Sequence, residues 1–127
     1  MKYVFGIFLI LHALIHAGYY APAIPADPNA KTKPPEFSFD ESWLISYLGL
    51  HGVAVKVIGM ACVTIALAGF VLAGLGVLGV PWLVDNWQLL SIVGAMASLV
   101  VLVASWDKWF VAAVLINIAI AGYAFLN

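Results

Sequence analysis

Residues 2–20 read KYVFGIFLILHALIHAGYY, and after Lys2 no formal charge appears until the polar segment beyond Tyr20. About 20 consecutive apolar residues carry an α-helix across the hydrocarbon core of a bilayer. The stretch therefore predicts a first membrane crossing. Its opening superficially matches a secretory leader, with Ala21-Pro22-Ala23 in the place of a cleavage site. The proline inside that tripeptide, and the presence of Met1, favour a retained helix over about 2–20. Tyr19 and Tyr20 mark an interface in the manner of an aromatic belt, and Pro22 ends the helix.

The same pattern recurs along the chain. Of the 127 residues 65% are apolar and only 9% are charged, whereas a soluble domain carries about 25% charged residues. Further helices are predicted over about 52–78, 87–105 and 110–126. Lys56 falls one turn inside the first of these, where its alkyl stem lets the ammonium snorkel to the interface. Gly69 and Ala73, and likewise Gly94 and Ser98, are small residues four apart. Such pairs let helices approach closely in lipid.

Between the helices lie short polar breaks. Residues 21–41 hold five of the six prolines and four of the six acids, and predict an extended loop over the mouth of the bundle. Ser38-Phe39-Asp40-Glu41 fits a capping box. A short interfacial helix is expected over about 42–50, SWLISYLGL. Pro81–Asp85 and the SWDKW stretch at 105–109 form the remaining turns. The fold class is thus an all-α, polytopic transmembrane four-helix bundle, a single domain over 1–127. Both termini lie on one side, and the proline-rich loop and SWDKW on the other.

Net charge is −1, and the five cations are all lysines. Nothing in this pattern points to a nucleic-acid footprint or a polybasic lipid-binding cluster. The lone Cys62 cannot form an intrachain disulfide. The expected partners are the lipid bilayer and either other membrane subunits or further copies of the chain. A count of lysines leaves orientation within about one charge, short of what the positive-inside rule needs.

His12 and His16 are four apart and share a helical face with Phe5, Phe8 and Tyr19. Counting from the helix ends places His51 and Asp107 in the same leaflet, as candidate neighbours. Two imidazoles at this spacing can share a metal, with Asp107 or His51 as third ligand. The intervening Ala-Leu-Ile lacks the glutamate of a zinc-protease helix. Haem would need axial histidines from different helices, for instance His12 or His16 with His51. The candidate cofactor is a transition metal or haem, held by His12, His16 and His51 or, for a metal, by His12, His16 and Asp107. Against these stands a structural reading, in which each buried imidazole bonds a carbonyl or hydroxyl on the next helix. Asn117, at mid-depth, reads as an interhelical hydrogen bond.

LHALIH at 11–16 resembles the LHGLIH-type motif near the start of a group of small bacterial four-helix membrane proteins. SWDKWFVAAVLINIAI at 105–120 is similar to that group's tryptophan-aspartate-lysine segment and final helix. The resemblance covers the first helix and the last third of the chain. It implies that His12, His16, Asp107 and Asn117 match the group's polar positions, in a shared outer-leaflet site. It carries no established activity. Arginines common in that group between its second and third helices are replaced here by Asp85.

The expected function is that of an accessory or structural subunit of a membrane complex, non-catalytic, with a histidine-lined polar site in one leaflet. A bacterial or archaeal plasma membrane is expected, with residues 21–41 outside the cytoplasm. The alternative is a metal- or haem-binding, quinol-linked redox protein using His12, His16 and His51. An oligomeric transporter or channel is the third.

Overall fold

The computed structural model describes residues 2–21, 39 and 42–127, apart from the Trp109 side chain, and among these there is no strand. The first helix, α1, is Lys2–His16, and a 3₁₀ turn over Ala17–Tyr20 prolongs it. A short α2 follows at Trp43–Leu48. The long helices α3, Gly52–Val77, and α4, Trp87–Ala104, come next. A 3₁₀ turn at Lys108–Phe110 leads into α5, Val111–Leu126.

Three helical stretches are long and apolar enough to cross a membrane: Lys2–Tyr20, Gly52–Val77 and Trp87–Ala104. At about 1.5 Å per residue, the 26 residues of α3 extend about 39 Å, and the 16 of α5 only about 24 Å. The last helix therefore falls short of the length expected of a full crossing.

The proline-rich segment, including Ser38 and Glu41 of the expected capping box, lies outside the described residues. Ser42 caps α2 instead. Its Oγ accepts from the Leu44 amide at 3.3 Å and donates to the Ala104 carbonyl at 2.5 Å. Trp43 Nε1 donates to the Val103 carbonyl at 2.6 Å. Those carbonyls belong to the last turn of α4, whose C=O groups have no partner within their own helix. Ser42 and Trp43 thereby clamp α2 onto the end of α4.

The long helices run antiparallel in sequence, with α3 packed between α1 and α4, and α5 packed on α4. The core is built from small side chains around one large one. Ala66 and Ala73 of α3, Ala13 of α1 and Ala95 of α4 surround Phe70, which is fully buried. A Cβ added at Gly69 would sit 3.0 Å from the Gly94 Cα, and one at Gly74 would sit 2.7 Å from the Gly6 carbonyl oxygen. Only glycine permits these backbone approaches, and they set the register of both interfaces. Residue 6 of α1 lies level with residue 74 of α3, and at the other end Tyr20 OH meets Thr64 Oγ1 at 2.6 Å. The first three turns of α3 therefore project beyond α1. There Tyr19 and Phe39 stack at 5.2 Å over a second cluster containing Val55, Val63, Val101 and Ala104.

Large apolar side chains face outward around the helices, among them Val4, Leu11 and Leu14 of α1, Val57 of α3, Val100 of α4 and Ile118 of α5. His12, His16, Ser91, Ser98 and Asn117 turn inward.

Candidate functional site: a buried polar layer

His12 and His16 are each 5% exposed, and Ser91, Ser98 and Asn117 are fully enclosed. These residues come from α1, α4 and α5. The four-residue spacing of Phe8, His12 and His16 lines up their rings on one face of α1, His12 and His16 meeting edge-on at 5.5 Å. Phe8 lies 5.8 Å from His12 at an interplanar angle of 19°, and Phe70 of α3 meets His12 edge-on at 5.0 Å.

The hydrogen bonds of His16 define its proton. Its Nδ1 lies 3.3 Å from the His12 carbonyl. A carbonyl only accepts, so in the neutral ring Nδ1 carries the hydrogen. Nε2 is then the acceptor, and Ser98 Oγ donates to it at 2.7 Å. This bond ties α1 to α4 across the layer.

Asn117 is oriented by similar logic. Its Nδ2 donates to the Ala113 carbonyl at 2.8 Å, which leaves Oδ1 pointing away from its own helix. Oδ1 has no partner, nor does Nε2 of His12. The two side chains approach each other from α5 and α1 closely enough to act as a hydrogen-bonding pair, though without good bond geometry. A buried polar atom left in this state costs about 1–3 kcal/mol. Ser91 Oγ is a third such atom.

Ser91, Ser98 and Ser105 are spaced by seven residues and so lie along one side of α4. At the end of that row Ser105 donates to the Val101 carbonyl at 2.8 Å. The hydroxyl of Tyr19 must therefore be the donor in the 2.6 Å Tyr19–Ser105 contact. The row as a unit escaped the reading of the sequence, which paired Ser98 with Gly94 as a packing contact and placed Ser105 in a turn. Its signal was the sevenfold spacing of hydroxyls in an otherwise apolar run.

Other candidates lie elsewhere. His51 is exposed at the N-cap of α3 and makes no capping bond through its side chain. It precedes Phe70, the contact of both buried histidines, by 19 residues of helix. At about 1.5 Å per residue that is roughly 28 Å, too far for His51 to share a metal or a haem iron with His12 or His16. Asp107 stands nine residues beyond Ser98, in the turn after α4. Among the described residues no group of three or more His, Cys, Asp or Glu side chains could hold a metal ion. Neither the set His12, His16, His51 nor the set His12, His16, Asp107 is assembled. End-counting failed here because α3 overhangs α1. Of the small residues, Gly69 packs on Gly94 and Ala73 is in the core, while Ser98 serves as the partner of His16.

Comparison with family models, curated proteins and solved structures gave no match to this chain. What the geometry defines is a class: an all-helical protein with membrane-capable helices, apolar outside and polar within.

Proposed function

We propose that the chain is a small integral membrane protein with four crossings, including the short α5, and that it serves as an accessory subunit of a membrane complex. The observation that carries the membrane reading is the inverted distribution of polarity. Leu11, Leu14 and Ile118 are more than half exposed, while His12, His16, Ser98 and Asn117 are enclosed. In water such an arrangement would expose apolar surface and bury hydrogen-bonding groups at a cost on both counts. In lipid the outer surface is solvated, and polar contacts between helices hold the bundle. Asp107 and Lys108 beside the exposed Trp106 suit the headgroup level at the end of α4. The accessory role draws on a polar layer in which His16 is engaged by Ser98 of the neighbouring helix.

Native mass spectrometry of the protein released from lipid nanodiscs, after expression at its natural level, tests this. The expected species is the 13.6 kDa chain bound to a membrane partner in fixed stoichiometry. A bare monomer that turns over a substrate would overturn the accessory role.

A further inference from the structure

We draw no further inference here: the strongest candidate, the outward face of α3 on which Ala54, Ala61 and Ala68 alternate at heptad spacing with Ile58, Ile65 and Leu72, all of them exposed, is an unpartnered apolar helix face, and nothing in the structure shows what covers it.

Discussion

The bond between His16 and Ser98 joins residues 82 positions apart and ties α1 to α4 inside the bundle, with the Tyr19–Ser105 bond beyond it at the end of α4. A double-mutant cycle isolates its worth. Ser98→Ala removes the donor and leaves His16 Nε2 enclosed without a partner, at a cost of about 2 kcal/mol. His16→Leu strands the serine hydroxyl and also loses the ring contact with Phe70 at 5.8 Å. A cost of about 2–3 kcal/mol follows from the orphaned hydroxyl and the altered packing. Interhelical side-chain bonds in membranes average about 0.6 kcal/mol and reach about 1.7. At 2.7 Å, between groups 5% and 0% exposed, this one belongs in the upper half of that range. The double variant should therefore be more stable than the summed single losses by about 1.4 kcal/mol, a factor of about ten in the unfolding constant. Reversible unfolding in mixed detergent micelles gives all four free energies. Additivity within about 0.3 kcal/mol would show that the bond carries no energy and would refute the reasoning.

Three further outcomes are expected. Gly69→Val, whose Cβ must meet the Gly94 backbone at 3.0 Å, should destabilise by about 2–3 kcal/mol, while Gly122→Ala, with nothing within 4 Å, should be neutral or stabilise by up to about 1 kcal/mol; equal effects in the same unfolding assay would contradict the packing. His51→Ala should change stability by less than about 0.5 kcal/mol and leave the absorption spectrum of the purified protein as it was, because His51 is remote from the buried pair; loss of a bound chromophore would restore it to the site. In a Cys62→Ala background, single cysteines at 82 and 127 should react with an impermeant maleimide from one face of sealed vesicles, and a cysteine at 106 from the other. Labelling of 82 and 106 from the same face would rule out the proposed topology.

The helices were legible because uninterrupted apolar runs end at Pro22, at the Gly79–Pro81 turn and at SWDKW. The pairing of His12 with His16 on one face was legible for the same reason, since helical period alone brings it about. Depth was not. Placing His51 and Asp107 beside the pair assumed that all helices share one register, but register is set by where backbones touch. The Gly6–Gly74 approach seats the first half of α1 on the far end of α3, and that coincidence of two glycines cannot be read from either helix by itself. The role of Ser98 was ambiguous for a related reason. As a residue of small volume it fits close packing, and only the position of His16 across the interface turns it into a hydrogen-bond donor.

The distance in sequence between His16 and Ser98 also has a meaning in time. Chains grow at about 5–20 residues per second, so the 82 residues that separate the two take roughly 4 to 16 s to synthesise. During that interval α1 is made and α4 is not, and the His16 imidazole sits in a nascent helix without the hydroxyl that receives it. The bond that closes the finished bundle thus makes the first helix a late-satisfied one.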